Sequence, residues 1–301
     1  MYEAWFQLKE KPFSLTPDPG FLFLSGSHQQ ALDHLQFGLG GGEGFIVITG
    51  DIGVGKTTVC RAMLSRLPER HSTSLIVNPL LTEKELVRAI LTDFGGEDPR
   101  GTKKDCLDEL NRFLLAEAEK GRLPVLIVDE AQNLPSALLE QIRLLSNLET
   151  DKRKLLQIVL IGQNELKEKL SLPELRQLTQ RVTVRAEILP LTDKETARYI
   201  GHRLAVAGSG GRPLMAPGAE RAVYRGTRGV PRLINKLCDR AFLAAFLRGS
   251  AVVERKDVRR AAESLAERAG IFRRAKRWLP WAATTTATAI LAVLAAHGRA
   301  F

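Results

Sequence analysis

The sequence predicts an α/β fold, in which a parallel β-sheet carries helices on both faces and a smaller all-helical part follows it. Short apolar runs alternate with helical stretches between residues 45 and 188, as they do in parallel sheets with helical crossovers. Residues 192–268 contain helical stretches and no convincing strand. A glycine-rich segment follows directly on the first apolar run, which places the expected chemistry at the carboxyl edge of the sheet.

Five apolar runs predict the strands of the sheet, at residues 45–49, 73–77, 124–128, 156–161 and 182–188. Runs of this kind are typical of strands that are buried on both faces. The first residues are rich in proline and are expected to be extended up to a helix at 28–39, because a residue that precedes proline avoids the helical region. After the sheet, the pattern predicts helices near residues 192–206, 217–226, 231–247 and 255–268.

The glycine-rich segment carries a phosphate-binding motif, G-x-x-x-x-G-K-T. Its glycines allow backbone N–H groups to point at a phosphate chain, and the helix that follows, at 56–67, faces the same phosphates with its positive end. Lys56 can reach the β- and γ-phosphates, and the Thr57 hydroxyl can ligate Mg²⁺. The motif therefore predicts ATP and Mg²⁺ as ligands, with contacts from Gly50, Asp51, Ile52, Gly53, Val54, Gly55, Lys56, Thr57 and Thr58.

Two adjacent carboxylates, Asp129 and Glu130, end the third predicted strand. The carboxyl ends of parallel strands meet at one edge of a sheet, so we expect both side chains beside the phosphate loop. Asp129 can hold Mg²⁺ together with Thr57, and Glu130 can orient and deprotonate the attacking water. The loop and the carboxylates together predict nucleotide hydrolysis.

The composition argues against a disulfide-stabilised or zinc-binding protein. The 301 residues, 44% of them hydrophobic, suffice for one large domain or two modest ones. Cys60, Cys106 and Cys238 are far apart, odd in number and without a C-x-x-C pair, which indicates a reducing compartment. The first residues, up to Lys11, lack the apolar stretch of a signal peptide.

Positive charge and an uncharged segment both lie near the C-terminus. Residues 221–277 hold 16 Lys/Arg and 5 Asp/Glu, whereas residues 1–220 carry a net charge of −2. Such a basic region fits nucleic acid, an anionic membrane surface or a solvated helical face. Residues 278–296 are 19 uncharged positions that begin with two interfacial tryptophans, Trp278 and Trp281, and they predict a transmembrane helix. The cations just before it place the N-terminal part in the cytoplasm; they are Arg273, Arg274, Lys276 and Arg277.

A set of segments, in order along the chain, carries a family resemblance: LKEKPFSLTPDPGFLFLS with HQQAL, GEGFIVITGDIGVGKTT, VLIVDEAQNL, LLSNLET, IVLIGQNEL, ELRQLTQRVTV and GVPRLINKLCDRA. They resemble the AAA+ ATPases of general secretion pathway protein A (ExeA-like), whose relatives serve pilus biogenesis and exosortase-associated surface-polymer systems. The resemblance covers roughly residues 1–268. DEAQ also resembles the DEAH helicase motif, but no further helicase motif accompanies it.

The resemblance implies roles for polar residues outside the two motifs. Gln163 or Asn164, after the fourth strand, falls at the sensor position that contacts the attacking water or the γ-phosphate. Arg232, at the start of a lid helix, falls at the place of the second sensor arginine. Arg181, or alternatively Arg176, falls where an arginine finger projects into the nucleotide of a neighbouring subunit, which implies a ring or arc of subunits.

The expected organisation is a P-loop AAA+ parallel-sheet core with an all-α lid and a C-terminal transmembrane helix. Its parts are an N-terminal segment (1–40), the nucleotide-binding core (41–190), the helical lid (191–268), a basic juxtamembrane linker (269–277) and the transmembrane helix (278–296). Pro12 and Phe13 are candidates for walling the adenine. The family implies a periplasmic, peptidoglycan-binding region after the span. Only residues 297–301 follow here, so we expect that role to be absent or delegated to a partner.

The favoured hypothesis is a cytoplasmic AAA+ ATPase, anchored by one span in the bacterial inner membrane, that assembles a secretion, pilus or surface-polymer export machine. Its expected partners are other copies of itself, an inner-membrane assembly protein and membrane lipid. The alternative is a DNA-associated AAA+ switch of the transposition or replication-initiation type. The basic region favours that alternative, and the lack of a DNA-reading module after the lid opposes it. A non-catalytic scaffold is disfavoured by the set Lys56, Asp129, Glu130 and Arg232.

Overall fold

The structure is a computed structural model, and it describes residues 1–16, 18–67, 71–77, 81–150 and 153–268. These residues form two compact units. The core unit comprises Thr16–Glu195 and Gly229–Arg232 within the described ranges. The helical unit combines Met1–Leu15 with residues 196–228 and 233–268.

The core unit contains a five-stranded parallel sheet, which confirms the predicted α/β fold. Its strands are β1 (Phe45–Gly50), β2 (Thr73–Ile76), β3 (Val125–Val128), β4 (Gln157–Gly162) and β5 (Val182–Ile188), each within one residue of its predicted bounds. The strand order is β2-β3-β4-β1-β5. Because β4 lies between β3 and β1, the loops that follow these three strands are neighbours at the carboxyl edge.

Helices flank the sheet along the core unit: α1 (Gly26–Gly40), α2 (Lys56–Leu64), α3 (Glu83–Asp93), α4 (Lys103–Glu119), α5 (Ser136–Leu145), α6 (Asn164–Leu170) and α7 (Arg176–Gln180). The chain continues through α8 (Asp193–Val206), α9 (Ala219–Thr227), α10 (Pro231–Leu247) and α11 (Arg255–Arg268). The predicted absence of a strand after the sheet is confirmed for the described residues, apart from an isolated bridge between Met215 and Val253.

The N-caps explain where several helices begin. The hydroxyls of Ser25, Thr82 and Thr102 cap α1, α3 and α4, each in a reciprocal capping box. Such caps typically contribute about 1 kcal/mol each. Helix α2 begins differently, because Gly55 precedes it in a left-handed conformation and supplies no side-chain cap. The first N–H groups of α2 therefore have no side-chain acceptor from the N-cap residue, as suits a helix that faces an anion.

Successive residues of each central strand pack alternately into two apolar cores, one on each face of the sheet. On one face of the sheet, Phe45 and Val47 of β1 pack in a cluster that includes side chains of α3, α4 and α5. On the other face, Ile46 and Ile48 pack with α1 and α2. Fully burying one such side chain stabilises the fold by roughly 1.5–3 kcal/mol. The strands are thus fixed from both sides, and so are the loops at their carboxyl ends.

The helical unit includes the first residues of the chain. The rings of Phe6 and Phe13 pack on Phe242 of α10, with centroid distances of 4.9 and 5.4 Å. The buried Arg203 guanidinium of α8 donates a hydrogen bond to the Pro12 carbonyl. Phe13 is 1% exposed, so its ring belongs to this aromatic cluster and is not free to wall an adenine.

Within the described residues, no helix has both the length and the apolar character needed to cross a bilayer. The predicted linker at 269–277 and the predicted span at 278–296 lie outside the described residues.

Candidate nucleotide site

The phosphate loop joins β1 to α2 at the carboxyl edge of the sheet, and its glycines occupy positions where a side chain does not fit. A Cβ atom on Gly50 would lie 2.6 Å from the carbonyl oxygen of Ile188 on the neighbouring strand. Gly53 and Gly55 have φ values of +81° and +110°, which glycine adopts without steric cost. The motif spacing recognised in the sequence is therefore the spacing that this backbone requires.

The Lys56 side chain folds back over the loop. Its Nζ donates hydrogen bonds to the carbonyl oxygens of Gly50 (2.9 Å) and Asp51 (3.0 Å), and the residue is only 6% exposed. Burial lowers the pKa of the Lys56 ammonium, whereas the negative charges of Glu130, Asp129 and Asp51 act in the opposite direction. The ammonium thus lies inside the loop and close to the two carboxylates.

The two predicted Mg²⁺ ligands, Thr57 and Asp129, are in direct contact. The Thr57 hydroxyl donates to Asp129 Oδ2 at 3.1 Å. Asp129 is 7% exposed and directly follows β3, and its Oδ1 accepts the backbone N–H of Glu130 at 2.9 Å. A hydroxyl and a carboxylate at one point are the hard oxygen ligands that Mg²⁺ prefers.

Glu130 is oriented by two glutamine side chains. Its Oε2 accepts hydrogen bonds from Gln132 Nε2 at 2.5 Å and from Gln163 Nε2 at 3.0 Å. The Gln163 backbone N–H donates to Gln132 Oε1 at 3.0 Å and closes the network. Burial raises the pKa of Glu130, but these hydrogen bonds and the charge of Lys56 outweigh it, so that the pKa is lowered. At neutral pH the side chain is therefore an oriented carboxylate.

The other sensor candidates contact the phosphate loop. Asn164 Nδ2 donates to Asp51 Oδ1 at 2.6 Å. The backbone N–H of Arg232 donates to the Gly53 carbonyl at 3.2 Å, and a Cβ on Gly53 would lie 2.7 Å from the Cβ of Arg232. The Arg232 side chain is exposed. Gln163 thus contacts the Glu130 carboxylate, whereas Asn164 and Arg232 contact the loop.

The two candidates for the arginine finger differ in their surroundings. Arg181 Nη1 donates to Ser146 Oγ of the same chain at 2.5 Å. Arg176 is exposed at the start of α7, and its side chain makes no hydrogen bond or ion pair within the described residues. Of these two candidates, Arg176 is the one whose side chain has no partner among the described residues.

The residues at this edge fit a magnesium nucleotide. The loop backbone and the start of α2 present donors suited to phosphate oxygens, and Lys56 adds a buried positive charge. Thr57 and Asp129 could hold the Mg²⁺ ion. The Glu130 carboxylate lies beside them with Gln163 on its Oε2.

Sequence reasoning does not assign a role to two residues that the structure brings to this site. Gln132 is the fourth letter of DEAQ. The sequence feature that could have identified it is its position as a polar residue two places after Glu130. His28 is 3% exposed on α1, and its Nε2 lies 2.9 Å from the carbonyl oxygen of Val54 in the phosphate loop. Its signal was the three-residue spacing from the helix-capping Ser25.

Comparison with known proteins defines the class. Residues 39–170 match the AAA domain family. The fold is similar to Drosophila ORC bound to DNA (TM-score 0.65, 19% identity, 85% of this chain and 64% of that chain). It is also similar to Cdc6p from Pyrobaculum aerophilum (0.64, 19%, 84% and 70%) and to the RuvB Holliday junction branch migration motor of Thermotoga maritima (0.54, 19%, 79% and 67%). These likenesses concern the fold alone, and the class they define is the AAA+ P-loop fold.

Within that class, one relative is much more similar in sequence. The chain is 46% identical over 263 residues to general secretion pathway protein A of Aeromonas hydrophila. The aligned region covers 87% of this chain and 48% of the relative. The chain therefore spans about half the length of that relative. The resemblance predicted from the sequence is confirmed: over most of its length the chain resembles the ExeA-like AAA+ ATPases.

Proposed function

We propose that this chain is a Mg²⁺-dependent ATPase whose nucleotide cycle drives assembly of a bacterial secretion, pilus or surface-polymer export machine. The observation that carries the proposal is the meeting of Lys56, Thr57, Asp129 and Glu130 at one edge of the sheet, with Gln163 bonded to Glu130. A nucleotide site without hydrolysis would need neither the oriented carboxylate nor its glutamine partners.

Each residue has a part in this proposal. The loop amides and Lys56 bind the phosphates of ATP, and Thr57 and Asp129 hold Mg²⁺. The ion supplies charge neutralisation on the β- and γ-phosphates. Glu130 accepts a proton from the attacking water, while Gln163 keeps the carboxylate in position. Arg232 is proposed to reach the γ-phosphate of its own subunit.

Two substitutions separate ATP binding from ATP hydrolysis. Lys56→Ala should abolish measurable ATP binding, because it removes the buried cation of the loop. Glu130→Gln should still bind ATP but hydrolyse it at least about 10²-fold more slowly, the usual scale for loss of a general base. Calorimetric titration with Mg–ATP and steady-state phosphate release measure the two effects.

The exposed residues Lys104 and Glu119 of α4 provide matched controls for these substitutions. Lys104→Ala and Glu119→Gln should leave both binding and turnover unchanged. Normal turnover by Glu130→Gln protein would remove Glu130 from the mechanism and leave a nucleotide-binding scaffold as the better description.

The proposed setting is the cytoplasmic face of the bacterial inner membrane. The similarity to general secretion pathway protein A supports a secretion-type machine. The uncharged segment 278–296 behind a cluster of cations supports one membrane span. The proposed partners are further copies of the chain, an inner-membrane assembly protein and membrane lipid.

A DNA-associated ATP switch is the second candidate, and the observation that favours it is the charge of the helical part. Exposed cations lie on α9, α10 and α11, including Arg225, Lys236 and Arg260. Fluorescence anisotropy with a labelled DNA duplex at physiological salt discriminates the candidates. ATP-dependent binding of DNA by the full chain would favour the switch, because non-specific charge attraction falls steeply with salt.

A further inference from the structure

His28 connects the start of α1 to the phosphate loop through both nitrogens of its ring. Nδ1 lies 2.5 Å from Ser25 Oγ and 3.3 Å from the Ser25 backbone N–H, which donates to it. Nε2 lies 2.9 Å from the carbonyl oxygen of Val54. Because a carbonyl oxygen only accepts, Nε2 must carry the proton and Nδ1 must be the acceptor.

The surroundings of His28 keep this arrangement in place. The residue is 3% exposed, and burial lowers the pKa of the imidazole, so the ring is neutral at physiological pH. Glu195 is the charged group that acts on it; its Oε1 accepts the N–H of Gly26 in the first turn of the same helix at 2.9 Å. The side chain is therefore a fixed hydrogen-bond donor aimed at the loop.

The Val54 carbonyl is a position where a missing donor would matter. The Val54 side chain is 1% exposed and packs in the core between the sheet and α1 and α2. The next residue is Gly55, which has a φ of +110° and is the N-cap residue of α2. A Cβ on Gly55 would lie 2.7 Å from His28 Nε2. The imidazole thus fills the space behind the turn that orients Lys56 and the first amides of α2.

We propose that His28 is a positioning residue for nucleotide binding: its Nε2–H holds the Val54 carbonyl and so keeps the phosphate loop in its binding conformation. The inference rests on the proposed ATP site, but it concerns a residue whose side chain contacts Ser25 and the Val54 carbonyl and has no part in the proposed chemistry. Loss of the bond leaves a buried carbonyl without its donor, and the loop then spends part of its time in conformations that bind ATP less well.

Three substitutions at position 28 distinguish the contribution of the Nε2 donor from that of the Nδ1 acceptor. Glutamine has as many bonds from Cβ to its amide nitrogen as histidine has from Cβ to Nε2, so His28→Gln can still donate to Val54. Asparagine keeps an acceptor near the position of Nδ1 but is too short to reach the loop, so His28→Asn retains only the helix-capping contact. His28→Ala removes both.

The experiment measures the Kd of Mg–ADP by calorimetry and the kcat and KM of Mg–ATP hydrolysis on the full chain. His28→Ala and His28→Asn should raise Kd and KM about tenfold, the scale of one buried hydrogen bond, with kcat within about twofold of wild type. His28→Gln should recover most of the affinity. His34→Gln, on the same helix α1 and half-buried, is the matched control and should change nothing.

Other results overturn the inference. If asparagine rescues and glutamine does not, His28 acts only in capping α1. If all variants lower the unfolding temperature but keep wild-type Kd and KM, its role is general stability. If the substitutions lower kcat without changing Kd, it does not act through binding. Failure of wild-type protein to bind Mg–ATP would instead remove the proposed function itself.

Discussion

Glu130 combines the proposed general base with an unusual backbone. Its φ is 52°, in the left-handed region that costs a non-glycine residue roughly 1–2 kcal/mol. Two hydrogen bonds hold the turn, because the Glu130 N–H donates to Asp129 Oδ1 and the Asn133 N–H donates to the Glu130 carbonyl, both at 2.9 Å. The turn points the carboxylate towards the residue after β4. Strain of this kind is concentrated at functional positions in proteins.

Gln132 should be needed for turnover more than for binding. Gln132 and Gln163 both donate to Oε2 of Glu130. The other oxygen, Oε1, is therefore left to accept a hydrogen bond from the attacking water. Gln132→Ala should lower kcat about tenfold, because a hydrogen bond to a charged acceptor contributes about 1.5–3 kcal/mol, while the Kd for ATP stays within about twofold. Steady-state kinetics and calorimetry measure the two quantities.

The matched control for Gln132 is Gln29, whose amide donates to Asp33 on the exposed face of α1. Gln29→Ala should be neutral in both measurements. A faster Gln132→Ala enzyme would mean that the glutamine holds Glu130 in a resting position, and unchanged kinetics would mean that Gln163 alone suffices.

At the scale of elements, the sheet was predictable because its strands are buried on both faces. Such strands appear in the sequence as continuous apolar runs, and the ends of each run mark the ends of the strand. The position of the site was predictable for the same reason. The phosphate loop follows β1 and the carboxylate pair follows β3, and these two strands lie on either side of β4.

The contacts that the sequence does not reveal are those between distant polar side chains. The bond from Arg181 to Ser146 joins residues 35 positions apart, and the bond from His28 to Val54 joins residues 26 positions apart. No periodicity encodes such pairs. The packing of Phe13 on Phe242 is a similar case, because an aromatic residue in a leading segment carries no signal of its partner.

Gly229 should be intolerant of any side chain. Its φ is +78° and a Cβ would lie 1.8 Å from the Leu191 carbonyl oxygen, while its own carbonyl accepts the Leu191 N–H at 2.9 Å. Gly229→Ala should lower the free energy of unfolding by at least about 2 kcal/mol, because the left-handed conformation and the backbone clash add. Urea denaturation followed by circular dichroism measures the loss.

Gly201 provides the opposite case in the same experiment. It lies inside α8, is exposed, and a Cβ there would meet nothing within 4 Å. Gly201→Ala should therefore raise the free energy of unfolding by about 0.5–1 kcal/mol, since glycine is a poor helix former. If Gly229→Ala were as stable as wild type, the close approach of Leu191 would not exist in solution.

At the scale of the whole molecule, the hypothesis of an arginine finger predicts that active sites are completed between subunits. Arg176 is the exposed candidate, whereas Arg181 is bonded to Ser146. Arg176→Ala protein should bind ATP normally but hydrolyse it at least tenfold more slowly, at the low end of what an arginine finger supplies. Mixing it with Glu130→Gln protein should restore part of the rate, because some interfaces then combine an intact finger with an intact Glu130.

The same mixing test with Arg181→Ala decides between the two candidates. Rescue of Arg181→Ala and normal activity of Arg176→Ala would assign the finger to Arg181, which would then have to leave Ser146 on assembly. If neither substitution slows hydrolysis, no finger is supplied from this part of the chain, and the proposal of a ring or arc loses its support.

Membrane attachment is the last property to test. It depends on whether the favourable insertion of the apolar residues outweighs the cost of inserting the polar ones. Residues 278–296 contain leucine, isoleucine, valine and tryptophan, but also four threonines and Pro280. Hydroxyls in a helix can bond to its own carbonyls, which reduces the cost of their insertion, and the preceding cations set the orientation. The full chain expressed in bacteria should therefore stay in the membrane pellet through both a high-salt and an alkaline wash.

A chain truncated after Gly270 should be released into the supernatant and keep its ATPase activity, because the nucleotide site lies entirely in the core unit. Salt strips a purely electrostatic attachment, and alkali releases a helix that lies in the interface. Release of the full chain by either wash would contradict a transmembrane anchor. Release by salt would favour attachment through the exposed cations of the helical unit, and with it the DNA-associated alternative. Release by alkali alone would indicate a helix that lies in the membrane interface.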